Sequence, residues 1–283
     1  MTERLAFDEV VALADRTLRV PAVLNAVFNR SAADDCELDE LIALLGADPV
    51  FAAQVLRLAN CPLYYRGSTL TAIDQAVVRL GRRVIHDMAA ALICVNAVEK
   101  MPSDTVRMAD FLFQSLHAAH TAANLSDHGI CEPSPAYTAA LFSGIGTMVL
   151  VHARPADMRA VLNWSLEVDV PLSDTVDTAF GFGLYDLSAA IGRLWELPEP
   201  VVEAMTHAGD RDGATGRGGV AECVNAATRL VEACGGESVA EDVIPLILDI
   251  LAGSTLSRIQ SDDVITELDA AKQSAHAVLR GLM

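Results

Sequence analysis

A chain of 283 residues that is 52% hydrophobic and 20% charged has enough apolar material for one large core or two fused lobes, and its composition disfavours intrinsic disorder. Its 38 acidic residues against 20 basic ones give a net charge of -18, which argues against nucleic acid as a partner, because phosphates are bound by Lys and Arg that displace their counterions. The basic residues gather only at Arg79, Arg82 and Arg83. No apolar run is read as reaching the roughly 18 uncharged residues of a membrane span, and the acidic, periodic start MTERLAFDEV does not read as a signal peptide. The six cysteines (Cys36, Cys61, Cys94, Cys131, Cys223 and Cys234) form no CxxC pair and fall mostly in apolar stretches, so free thiols in a reducing cytoplasm are expected.

Apolar residues recur at helical spacing through nearly the whole chain. Leu5, Val10, Leu13, Ala14 and Leu18 mark a first amphipathic helix, and Leu38, Leu41, Ile42, Leu44 and Leu45 a second that stops at Gly46. Asp48 followed by Pro49 reads as an N-cap with proline at the first helical position, opening the segment VFAAQVLRLAN, which Cys61-Pro62 ends. Thr71 and Asp74 have capping-box spacing ahead of Ile73, Val77 and Leu80, with Gly81 closing that element. A long helix is expected over 84–100, a break at Pro102-Ser103, and the next helix over about 104–126. Ser134-Pro135 opens a helix that continues through Val149 despite Gly144 and Gly146. Pro155 starts an element carrying Met158, Val161, Leu162 and Leu166, Asp186 caps a helix ending at Trp195, and Pro198 opens a short one toward His207. The glycine-rich segment 209–219 reads as a flexible loop. Helices over 220–233, over 239–251 with a Ser238/Glu241 capping box, and over 262–280 complete an all-α chain without strand-like alternation.

From Asp48 onward, DPVFAAQVLRLANCPLYYRGSTLTAIDQAVVRLGRRVIHDM resembles the signature of the HDOD family: an Asp-Pro, a helix ending in Leu-Arg-Leu-Ala-Asn, a small residue and Tyr, a short loop, then an Ala-Ile…Leu-Gly helix. Arg19-Val20-Pro21 resembles the family's proline-containing entry with its first proline absent, and AAIGRLWELPEPVVEAM resembles its Gly-x-x-Leu-x-x-Trp-x-Leu-Pro segment. The resemblance implies a two-lobed helical bundle. Its plan is an N-terminal helix over 1–16, an HDOD domain over 17–210, and C-terminal helices over 211–283 that complete the second lobe. The domain itself divides into an N-terminal lobe over 17–102 and a degenerate HD-like lobe over 103–210.

HD phosphohydrolases, to which HDOD domains are related, hold a divalent metal with a His, an adjacent His-Asp pair and a distal Asp, and the metal activates a water for attack on phosphate. Where those ligands would stand, this chain has Gln114, then Ser143 and Gly144, then Thr228, and Ser188 fills a further position often held by His. Such residues are neutral, weak donors or have no side chain at all. The resemblance therefore implies no catalytic residue, no metal and no cofactor. It implies a bacterial signal-transduction module that binds other signalling proteins. The alternative is a nucleotide or second-messenger sensor using a remnant pocket of Gln114, His117, Ser143, Gly144, Ser188 and Thr228, and residual metal-dependent phosphohydrolysis is the least supported reading.

His117 and His120, three apart on one helix, are close enough to share a metal, but no third ligand has recognisable spacing, and two ordinary histidines explain them as well. His207 reads either as a survivor of the family's terminal histidines or as a capping residue. Gly181-Phe182-Gly183 has no following Lys-Ser/Thr and reads as a turn, and Gly144-Ile145-Gly146 as close helix packing. Asn60, Tyr64 and Tyr65, at the loop after the LRLAN helix, are the candidate partner surface, since aromatics concentrate at interfaces; a core anchor is the other reading for the tyrosines. No Ser-His-Asp spacing or nucleophile elbow is visible.

Overall fold

The computed structural model describes residues 6–282 except 19, 34, 102–104, 169, 211–216 and 235–243. Arg19 of the family-like entry, the Pro102-Ser103 break, most of the glycine-rich loop and the Ser238/Glu241 capping box therefore lie outside the described residues. Among the described residues there are fifteen α-helices and no strand, as the periodicity predicts.

The first lobe is built on α5 (Ile73–Glu99), against which α2 (Ala22–Ala32), α3 (Leu38–Gly46) and α4 (Pro49–Ala59) pack. The start of α4 follows the sequence signal: the Asp48 carboxylate accepts from the amides of Val50 and Phe51 at 2.9 and 3.1 Å, and Pro49 takes the first position, where its missing N–H costs nothing. The start of α5 does not. Ala72 is its cap residue and no side chain caps it, so the Thr71/Asp74 box does not form. The loop ahead of α5 is closed instead by Asn60, whose side-chain amide donates to the Leu70 carbonyl and accepts from the Leu70 N–H, both at 2.8 Å. Gly81 interrupts α5 with φ of 74°, a conformation only glycine adopts without penalty, and so separates the two helical patterns seen in the sequence. Helix α2 is not evident from those patterns. Asn25, Asn29 and Arg30 mask a short stripe in which Leu24, Val27, Phe28 and Ser31 face the core.

In the second lobe α6 (Met108–Ser126) is central, flanked by α7 (Pro133–Ser143), α13 (Gly219–Cys234) and α15 (Ser261–Leu282). Around them run α8 (Ile145–Ala153), α9 (Pro155–Val168), α10 (Leu172–Phe180), α11 (Leu184–Leu194), α12 (Glu199–Thr206) and α14 (Ile244–Leu251), the last followed by a 3-10 turn at Thr255–Arg258. The helix expected to run on through Val149 turns at Gly144 and resumes as α8. Asp186 does not cap α11, whose cap residue is Gly183; it lies in the first turn, where a carboxylate still favours the helix dipole. The expectation that no run is long enough to cross a membrane is corrected at Pro133–Ala153. These 21 residues pass on length and composition, yet 83% of the window that does so is buried within the fold, because α7 and α8 form part of the core.

Both ends of the chain tie the lobes together. Helix α1 (Phe7–Thr17) precedes the first lobe in sequence but packs on α8 and α11 of the second, and the Trp195 indole donates to the Leu18 carbonyl at 3.2 Å. Helix α15 packs on α6 and reaches α4, where the Arg57 guanidinium donates to the Arg280 carbonyl at 3.0 Å. One continuous apolar core results.

Candidate functional site

Helix α6 turns two different faces to its neighbours. Phe111, Gln114, Ser115 and Ala118 follow each other at helical spacing and look toward α7, while His117, Thr121 and Asn124 lie on the side of α15. Between the first face and α7, α9, α11 and α13 lies a cavity of about 500 Å³. Ala140 and Ser143 enter it from the end of α7, Gly144 from the turn, and Thr228 and Glu232 from α13. Its apolar wall comes from Phe111, Leu162, Leu166, Leu172, Leu184 and Val231.

Four of the six residues assigned to a remnant pocket thus meet on one cavity: Gln114, Ser143, Gly144 and Thr228. Gln114 is exposed, Ser143 is buried and donates its hydroxyl to the Ala139 carbonyl at 2.6 Å, and the Thr228 hydroxyl is buried with no hydrogen-bond partner among the described residues. At Gly144 a Cβ would come within 3.3 Å of the Phe111 ring. Ser188 lies behind the cavity wall. Its hydroxyl accepts from the Gly146 N–H at 3.0 Å and donates to the Leu184 carbonyl at 3.2 Å, stitching α8 to α11. A Cβ on Gly146 would approach both the Leu184 carbonyl and the Ser188 hydroxyl to 2.9 Å, so the glycine is required by close helix packing.

His117 is not on the cavity. Its Nε2 lies 3.1 Å from the Leu268 carbonyl of α15, and its side chain is only 2% exposed. His120 turns inward instead, edge-on to Tyr137 with ring centroids 5.1 Å apart, and burial pushes its pKa down to about 4. The two histidines have different surroundings, because residues three apart on a helix sit on adjacent strips and here a different neighbour covers each strip. His207 closes α12 and its Nδ1 pairs with the Asp210 carboxylate at 2.8 Å. Gly181, with φ of 80°, is the left-handed cap of α10 and forms a turn, as expected.

On the first lobe the proposed partner surface separates into parts. Asn60 is committed to the loop closure described above, and Tyr64 is half-buried, with burial and the nearby Asp87 pushing its phenol up to about 12. Tyr65 is the one of the three that is open, at 48% exposure, with Leu63 near it at 46%.

Sequence reasoning missed one pair on the cavity. The Tyr185 hydroxyl donates to the Glu232 carboxylate at 3.0 Å, and burial, together with the neighbouring Asp174, raises the Glu232 carboxyl above its ordinary range. Nothing in the linear pattern joins these residues, which stand 47 apart.

The family model for the HDOD domain matches residues 18–210 of the chain. A curated relative, an uncharacterized protein of Treponema pallidum (strain Nichols), is 23% identical over 203 residues, which are 69% of this chain; the match spans only 38% of that relative's length. Among solved structures, a protein of Shewanella amazonensis SB2B provisionally named a phosphohydrolase has a TM-score of 0.75 at 19% identity, covering 97% of this chain and 98% of that one. An HDOD domain protein of unknown function from Geobacter sulfurreducens has a TM-score of 0.74 at 20% identity over 98% and 99% of the two chains. A protein of Marinobacter aquaeolei VT8, provisionally named for signal transduction, has a TM-score of 0.71 at 20% identity over 96% of this chain and 66% of that one. At such identities these likenesses establish the fold.

Proposed function

The chain belongs to the HDOD domain family, and from that premise we propose that it is a non-catalytic regulatory module of signal transduction, acting by binding and not by turnover. One observation carries this reading: the residues around the cavity are a poor donor set for the metal of an HD phosphohydrolase. Gly144 offers no side chain, the Ser143 hydroxyl is committed to its own helix, and Gln114 and Thr228 are neutral. Among the described residues no three His, Cys, Asp or Glu side chains gather as a metal ion would require. An HD-type metal does not fit these residues, and no step of a reaction is assigned to one.

The proposed partners are other signalling proteins. Family membership supports this, as does the signal-transduction name of the Marinobacter protein with the same fold. The open side chains Tyr65 and Leu63, on a loop that Asn60 holds in place, are the proposed contact.

The catalytic alternative is tested directly. Protein purified without chelator is expected to carry no stoichiometric metal, and to hydrolyse neither bis-p-nitrophenyl phosphate nor cyclic dinucleotides when Mn²⁺, Mg²⁺ or Fe²⁺ is added. Saturable hydrolysis that copurifies with the chain and is lost in Glu232→Gln would overturn the reading.

A further inference from the structure

Beyond that non-catalytic reading, we infer that the cavity beside α6 and α13 binds an amphiphilic organic cation, whose amine-type head pairs with the Glu232 carboxylate and whose aliphatic or aromatic body lies on the apolar wall.

Size and lining come first. A volume of about 500 Å³ falls within the ordinary range of small-molecule sites, which are mostly apolar with a few placed polar groups. Here the apolar groups are carried by α6, α9, α10, α11 and α13, and the polar ones converge where Tyr185 and Glu232 meet. Thr228 is one turn before Glu232 on α13, on the same side of the helix, and its hydroxyl is still without a partner among the described residues.

Charge decides the class of the head group. Two acids line the cavity, Asp110 and Glu232, against one base, Arg107. That base is already paired with Asp110 at 3.5 Å, and both residues are exposed. Glu232 receives one hydrogen bond, from a neutral phenol; Asp174 adds a second negative charge in its vicinity, and the Arg229 guanidinium, which also stands 3.9 Å from the Asp249 carboxylate, opposes it only in part. Desolvation at the cavity lining makes Glu232 hold its proton more tightly than usual, although the residue as a whole is exposed, and a bound ammonium group would relieve that cost. The same lining is wrong for phosphates. A nucleotide needs bases or free backbone amides around its phosphates, and this cavity would present Glu232 to them.

The body of the ligand has a place as well. Leu166 lines the cavity at α9 and is 82% exposed, so a ligand body lying on Leu162, Leu172 and Leu184 would cover it as well.

The test uses the full chain at about pH 8. Octylamine and 4-phenylbutylamine are titrated by calorimetry and thermal shift against octanoate, octanol, ATP and GTP. Both amines are expected to bind saturably and raise the melting temperature, while octanoate and the nucleotides do not. Glu232→Gln should weaken the amines by about tenfold or more, the loss expected for one charge-assisted hydrogen bond, while leaving octanol unchanged. Leu166→Gln, on an exposed position that leaves folding untouched, should weaken them by about threefold as apolar contact is lost. Amines that fail to bind at millimolar concentration, that bind no better than octanoate, or that are indifferent to both substitutions overturn the inference. Nucleotide binding overturns it too, yet leaves the non-catalytic reading standing, since that reading falls only to turnover.

Discussion

In the first lobe His86 stacks on Phe28 with ring centroids 4.5 Å apart, its Nδ1 within reach of the Ser31 hydroxyl at 3.1 Å and the Phe28 carbonyl at 3.2 Å, and its Nε2 3.3 Å from the Thr138 hydroxyl of α7. Asn60 is equally committed, by two bonds to Leu70. In the second lobe, and on the side of α5 that meets it, the pattern reverses. Thr228 Oγ1, His117 Nδ1, His120 Nε2 and Asp87 Oδ1 are all buried with no hydrogen-bond partner among the described residues. Buried polar groups are nearly always satisfied in folded proteins, so unsatisfied ones gathered in one region need a reason other than stability. The contrast separates two kinds of polar group in this chain: those of the LRLAN signature and its surroundings are bonded as architecture, and around α6 and α13 single atoms, Thr228 Oγ1, His117 Nδ1 and His120 Nε2, stay without a partner among the described residues.

The largest effect is expected where satisfaction is most complete. Asn60→Ala removes both bonds that close the loop over 60–70 and strands the backbone N–H and C=O of Leu70. A loss of about 2–3 kcal/mol is expected, measured by urea denaturation, because unmade bonds to half-buried groups cost more than made ones contribute. A change below about 0.5 kcal/mol would break the architectural half of the comparison.

Asp87 probes the other half. Burial raises its carboxyl to about 7 from an ordinary value of 3.8, with the Arg83 guanidinium, 4.0 Å away, only partly opposing. Below about pH 4 both folded and unfolded chains hold the proton and there is no cost. Between about pH 4 and 7 the unfolded chain releases it first, so this group's contribution to stability falls as pH rises, and levels off above the folded pKa. Asp87→Asn should therefore match the wild type near pH 4 and exceed it by about 2 kcal/mol near pH 8, read as the difference between two stability–pH curves. His86 and His120, both pushed down to about 4 by burial, act in the opposite direction: their neutral forms favour the fold at high pH, and that stability is lost as pH falls from 6.5 toward 4. Both histidines are present in each protein, so their effect cancels in the difference. A variant less stable than the wild type at pH 8 would mean that the Arg83–Asp87 attraction outweighs desolvation.

These contrasts also show what can be read from the chain alone. The Asp48-Pro49 cap is legible because capping is local, its three residues adjacent and its chemistry specific. The convergence of Gln114, Ser143, Gly144 and Thr228 is legible only through resemblance, since no spacing rule relates three helices to one cavity. The roles of Asn60 and His117 are hidden for a shared reason: each is committed to the backbone of a distant residue, Leu70 or Leu268, and a carbonyl leaves no mark in a side-chain pattern. Asn60 therefore looks like surface and His117 like a ligand. Helices α2 and α10 escape because each is short and its buried positions include Ser31 or Thr175, which dilute the apolar stripe. The Tyr185–Glu232 pair is invisible because Glu232 stands on the polar edge of an amphipathic helix, where a glutamate is unremarkable until tertiary packing brings the Tyr185 hydroxyl to it.

The smallest effect gives the sharpest test, because one substitution made at two places should change sign. Thr138 and Thr228 are both almost wholly buried, and valine has nearly the same shape and helix propensity as threonine. At Thr138 the hydroxyl meets His86 Nε2, so Thr138→Val leaves a buried ring nitrogen without its partner and should cost about 1 kcal/mol. At Thr228 the hydroxyl has been taken from solvent with no described partner, so Thr228→Val removes a desolvation penalty and should be neutral or stabilising by up to about 1 kcal/mol. Thermal unfolding of the two variants side by side reads the difference without reference to any ligand. If both substitutions destabilise equally, Thr228 is as structural as Thr138, and the distinction between polar groups bonded around His86 and those left unbonded beside the cavity fails at Thr228.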